Sequence, residues 1–139
     1  MNLAQKGPGM EIGSVCWIDL AASDLPSAAI FYRDLFDWNA APRRANGGSF
    51  TELQRGRDSF GSIYQLRDER LRLGTPSHWV PYVCVADIDA TAARAVALGG
   101  ELLVRPFEVG DVARIALILD SVGAQIGLWQ SIQRGALNA

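Results

Sequence analysis

The order of strand-forming runs, helical periodicities and turn signals predicts an α+β fold built from two βαβββ modules in one chain. Three observations carry this. The pattern strand–helix–strand–strand–strand occurs twice, with little residue identity between the halves. Each helix is opened by a capping aspartate, Asp24 and then Asp87, spaced at close to half the chain. Between the halves lies RDERLRLGTPS (67–77), a charged stretch ending in Gly74 and Pro76 that reads as a linker.

The first run, VCWIDL (15–20), is rich in strand formers. Asp24 or Ser23 can then accept from the free amides of a helix start, and Pro26 suits the first turn. Leu25, Ala28, Ala29, Tyr32, Leu35 and Phe36 recur at three- and four-residue spacing, which predicts a helix over 25–36. Strands follow at about 38–44, 49–55 and 59–66, divided by turns at Asn46-Gly47-Gly48 and Gly56-Arg57-Asp58. The pattern restarts with WVPYVCVA (79–86), the cap Asp87 and an Ala-rich helix stopped by Gly99-Gly100. Strands at 101–109, 112–119 and 124–130 complete it. These readings give module one 13–66, linker 67–77 and module two 78–131, between a loose segment 1–12 and a tail 132–139.

Composition limits the chemistry. With 139 residues, 49% hydrophobic and 20% charged, the chain reads as one globular domain large enough to fold without a disulfide or metal staple. Thirteen basic against fifteen acidic residues, with the arginines scattered, give no nucleic-acid stripe and no pull toward acidic membranes. No apolar run approaches the length needed to span a bilayer, and MNLAQKGPGM lacks the features of a signal peptide. Cys16 and Cys84 form no CxxC pattern, so reduced thiols in a cytoplasmic protein are expected. One histidine excludes any site that needs two His ligands from the same chain. No phosphate-binding glycine loop and no Ser-His-Asp set can be assembled.

Three stretches carry a family resemblance: CWIDLAASDLPSAAIFYRDLFDW (16–38), VCVADIDATAARAVALGGELL (83–103) and DSVGAQIGLW (120–129). In their order and spacing the chain resembles the vicinal oxygen chelate superfamily of glyoxalases, bleomycin-resistance proteins and dioxygenases. PFEVGDVARIALILDSVGAQIGLWQ (106–130) is similar to its hydroxylase-like or antigen-like branch. The resemblance implies a mixed β-sheet curled around a ligand cavity, helices outside, and often a homodimer. It also implies, in metal-dependent members, His and Glu ligands on the first and last strands of each module. Carried onto this sequence, those positions fall on Trp17, Gln65, Val80 and Gly127. None offers the imidazole, thiolate or carboxylate a divalent ion needs, so no metal and no other cofactor is expected. His78 lies two residues before the fifth-strand position and reads as an ordinary edge histidine.

Side-chain alternation from those positions directs Val15, Trp17 and Asp19 inward on the first strand. It does the same for Val80, Tyr82 and Cys84 on the fifth, and for Gln125, Gly127 and Trp129 on the last. Glu52 and Arg114 are plausible inward polar groups, and Phe107 a cap at one end. Trp17, Tyr82 and Trp129 either line a pocket or fill it as core, and Gly127 leaves room for a ligand or an indole. Asp19, between Ile18 and Leu20, needs a partner such as Arg114 or Tyr82, or acts as a base. The expected function is metal-independent binding of a small apolar or aromatic ligand. The alternative is a metal-free lyase, isomerase or hydroxylase-like enzyme using Asp19 or Glu52 as acid/base, and behind it a metal-dependent lyase or dioxygenase.

Overall fold

A computed structural model describes residues 11–45 and 48–132. The chain runs β1 (Val15–Ala22), α1 (Leu25–Phe36), β2 (Asn39–Ala45), β3 (Gly48–Arg55), β4 (Asp58–Gln65), α2 (Asp68–Arg72), β5 (His78–Cys84), α3 (Ile88–Ala97), β6 (Glu101–Val109), β7 (Ala113–Leu119) and β8 (Gln125–Ser131). The expected βαβββ order is therefore present twice. One difference is α2, a single short turn of helix inside the stretch read as linker. The expected turn at Asn46-Gly47 lies outside the described residues, as do the first ten and last seven residues.

Both long helices start by the same device. Asp24 accepts from the Ser27 amide and Asp87 from the Ala90 amide, each at 3.0 Å. One further free amide is bonded by a carboxamide from the end of a strand. Gln65 Oε1 accepts from Leu25 N–H, and Gln130 Oε1 from Ile88 N–H, both at 2.8 Å. These bonds satisfy amides that the first helical turn leaves without an intrahelical partner. α1 ends at Asp37 in the left-handed region, φ 64°, its amide bonded to Arg33 O at 2.9 Å. Asp tolerates that conformation better than a bulkier side chain.

The hydrogen-bonded strand order is β2-β3-β4-β1-β5-β8-β7-β6. It mixes parallel pairs, β1 with β4 and β5 with β8, with antiparallel hairpins. The chain divides into two compact units, Ile18–Val80 and Met1–Trp17 with Pro81–Ala139. In the first, Leu25, Ala28, Ala29 and Tyr32 of α1 pack on Leu20, Ala22, Leu53 and Ile63. In the second, Ile88 and Ala92 of α3 pack with Ala116, Ile118 and Leu128. Each fully buried Leu or Ile contributes about 2 kcal/mol by leaving water. Because strand side chains alternate, the strands of each unit keep a second, helix-free face for the residues in between. Among the described residues no helix is long and apolar enough to cross a membrane.

Candidate ligand-binding faces

On the helix-free face of module one, a line of residues crosses four strands. Ala41 pairs with Glu52, Glu52 with Ser62, and Ser62 with Asp19. Two strand spacings separate the acidic residues, so their Cα atoms lie about 10 Å apart. Asp19 is only 8% exposed, and the Ser62 hydroxyl donates to its Oδ1 at 3.0 Å. A buried carboxylate stripped of such donors would cost several kcal/mol. Glu52 Oε1 accepts from Arg43 Nε and from Gln54 Nε2, each at 3.1 Å. Gln54 in turn accepts from Asn39 Nδ2 at 3.2 Å. Tyr64 lies on the same face as Ser62, two residues on. Burial first, and then the negative charge of Asp19, push its phenol up. Tyr64 therefore stays a donor at neutral pH.

The equivalent line in module two is Val104, Leu117, Gly127 and Tyr82. Beside it runs Phe107, Ile115, Trp129 and Cys84. Trp17 stacks on Trp129 with centroids 5.0 Å apart and planes 27° apart, and Tyr82 meets Trp129 edge-on at 6.5 Å. A Cβ on Gly127 would run into the Tyr82 ring, so the space left by that glycine is occupied by the phenol. Trp129 Nε1 donates to Ser131 Oγ at 3.1 Å, which satisfies the indole within the buried platform. Phe107, by contrast, is 47% exposed.

Among the residues expected at a site, the structure gathers Trp17, Tyr82, Gly127 and Trp129 in one cluster and carries Phe107 on the same face. Asp19 and Glu52 share the face of module one. Val80 is buried in the first unit. Two expectations are corrected. Gln65, two residues beyond the core residue Ile63, shares its face and points to the helix side, where it bonds Leu25 N–H, Ser23 O and Leu66 O. Arg114 shares the strand face of Ala116 and Ile118, and its guanidinium grips the Asp89 carboxylate of α3 at 2.9 and 3.4 Å. That hydrogen bonding holds Asp89 below the usual carboxylate range. Arg114 is thus committed to Asp89, and Ser62 supplies a donor to Asp19 instead. Ser62, Arg43 and Gln54 escape the sequence reading, because nothing in the sequence anchors which side chains of the middle strands face inward. His78 Nδ1–H donates to Pro76 O at 2.9 Å, an ordinary strand-edge role.

The glyoxalase-like domain family matches residues 16–126. The chain belongs to this family. Among curated relatives, the putative glyoxylase CFP32 of Mycobacterium tuberculosis is 31% identical over 86% of this chain and 46% of its own length. The anthracycline biosynthesis protein DnrV of Streptomyces peucetius is 28% identical over 89% of this chain and 50% of its own. The chain thus spans about half the length of the curated relatives it matches. Methylmalonyl-CoA epimerase from Mycobacterium tuberculosis shares the fold, with a TM-score of 0.65 and 19% identity over 90% of this chain and 91% of that one. A single-residue variant of the Streptomyces coelicolor epimerase, in complex with 2-nitronate-propionyl-CoA, has a TM-score of 0.61 and 19% identity, over 88% of this chain and 97% of that one.

In this glyoxalase-like chain the positions that resemblance assigns to a metal do not fit one. Trp17 is stacked, Val80 is aliphatic and buried, Gln65 turns to the helix side, and the space at Gly127 holds a phenol ring. Among the described residues no three His, Cys, Asp or Glu side chains gather as a donor set. Two carboxylates facing one way, one of them held by Arg43 and Gln54, can instead accept hydrogen bonds or move protons.

Proposed function

We propose that this glyoxalase-like chain binds a small apolar or aromatic molecule without a metal, on the aromatic face of module two. The observation that carries the reading is the contrast within that face. Trp17, Tyr82 and Trp129 pack on one another as a floor, while Phe107 is half exposed beside Ile115. A rigid aromatic floor with an accessible ring suits offset or edge-on contact with a planar ligand. The likeness to an anthracycline biosynthesis protein supports a fused-ring aromatic ketone as the probe. Anthraquinone sulfonate should quench the tryptophan emission saturably, and Phe107→Ala should weaken the binding about tenfold. Unchanged emission at saturating probe would overturn the reading. EDTA should alter neither the melting temperature nor the binding; a loss restored by one divalent ion would contradict metal independence.

A second reading is favoured by the line Glu52–Ser62–Asp19. There the chain is a metal-free enzyme, with Asp19 or Glu52 exchanging a proton with a bound carbonyl compound. Asp19→Asn keeps an acceptor for the Ser62 hydroxyl yet removes the base. Under this reading it abolishes turnover while leaving the thermal melt in place. A cytoplasmic location and a homodimer belong to the same proposal, and a monomeric mass by light scattering would remove the dimer from it.

A further inference from the structure

The sequence holds two cysteines, and the fold brings them together within one unit. Gly13 N–H donates to Cys84 O at 2.7 Å and Cys84 N–H donates to Ser14 O at 2.9 Å, which fastens the lead into β1 to β5. Cys16 follows Ser14 by two residues, and across that junction the Cys16 and Cys84 thiols interact. Both thiols are reduced, Cys84 buried and Cys16 partly accessible. A disulfide needs the sulfurs at about 2.05 Å, so a pair of neighbouring thiols on adjoining strands is its precursor. We propose that Cys16 and Cys84 are an oxidisable dithiol that a low-molecular-weight disulfide closes into an intramolecular bond.

The chemistry balances without a metal or cofactor. Cys16, the more accessible thiol, loses its proton, attacks the added disulfide RSSR and expels one RS⁻. Cys84 then loses its proton, attacks the Cys16 sulfur of the mixed disulfide and expels the second RS⁻. The two cysteine protons end on two RSH, and the added disulfide takes the two electrons the cysteines lose. Burial pushes both thiols up, Cys16 to about 12, so little thiolate is present and closure is slow at neutral pH. The pair adjoins the aromatic floor: Cys84 is the strand partner of Trp129, and Cys16 precedes Trp17.

The test exposes the full chain to oxidised glutathione and follows intact mass, alkylatable thiols after unfolding, and tryptophan emission. The expected product has lost two hydrogens, retains no alkylatable thiol and yields a Cys16–Cys84 linked peptide. Its emission differs from that of the reduced chain and returns with dithiothreitol. Cys84→Ser should stall as a glutathione adduct on Cys16. Phenylarsine oxide, which bridges only adjacent thiols, should bind the native wild type one to one whether or not that variant folds. Stable glutathione adducts on the wild type, a disulfide between two chains, or no arsenical bridging would each overturn the proposal.

Discussion

Across the helix-free face of module one the strands present Ala41, Glu52, Ser62 and Asp19; across module two they present Val104, Leu117, Gly127 and Tyr82. The register is equivalent, and so are the helix starts, with Asp24 and Gln65 matched by Asp87 and Gln130. What differs is how each face settles its own chemistry. The acidic line is held by donors, Ser62 to Asp19 and Arg43 with Gln54 to Glu52. The aromatic line is held by volume, with the Tyr82 ring occupying the space above Gly127. One backbone pattern therefore supports two opposite faces, and backbone likeness alone says little about which molecule each receives.

The largest break in this comparison should come from volume. Tyr82→Ala removes the ring that fills the space beside Gly127 and should cost about 3–5 kcal/mol, by analogy with other aromatic truncations. Gly127→Val forces a branched side chain into the same space and should cost about 1–3 kcal/mol or more. The double variant should lose less than the two costs added, because the valine enters the space the ring has left; simple additivity in chemical melts would contradict the packing account.

Next is an alkaline effect at Cys16, in the unit that holds Pro81–Ala139. The Cys16 thiol rises from 9.0 to about 12 on folding, chiefly by desolvation. The folded chain then keeps a proton that the unfolded chain releases. Stability is full below pH 9.0 and declines as pH rises toward about 12. Cys16→Ser should flatten part of that decline, measured by urea melts across the window. An equal slope in both proteins would show that this thiol is not its source.

The smallest effects should be the shared ones. Gln130→Ala removes one helix-start bond and should cost about 1 kcal/mol, while Gln65→Ala also removes the bonds to Ser23 O and Leu66 O and should cost more. No measurable cost for Gln130→Ala in chemical melts would break the equivalence of the two helix starts.

Much of this fold is legible in the sequence because its signals are local. Asp24 and Asp87 mark the helix starts, glycines mark the turns, and the faces of β1, β5 and β8 follow from alternation off anchored positions. The face of Arg114 is not legible, because β7, ARIALIL, is apolar on both faces and so offers no alternation to read. Gln65 misleads because a carboxamide at a strand end looks the same whether it meets a ligand or a helix start. The donors Ser62 and Arg43, and the meeting of Cys16 with Cys84, depend on strand register. Register is a long-range property that composition and spacing do not encode.

The central claim is that ligand binding belongs to the aromatic face and not to the acidic one. Tryptophan-quenching titration with anthraquinone sulfonate tests it directly, with wild type, Phe107→Ala and Glu52→Gln compared under one buffer. The account predicts about tenfold weaker binding for Phe107→Ala and a change of less than about twofold for Glu52→Gln. The reverse order, with Glu52→Gln losing the ligand and Phe107→Ala keeping it, would contradict it.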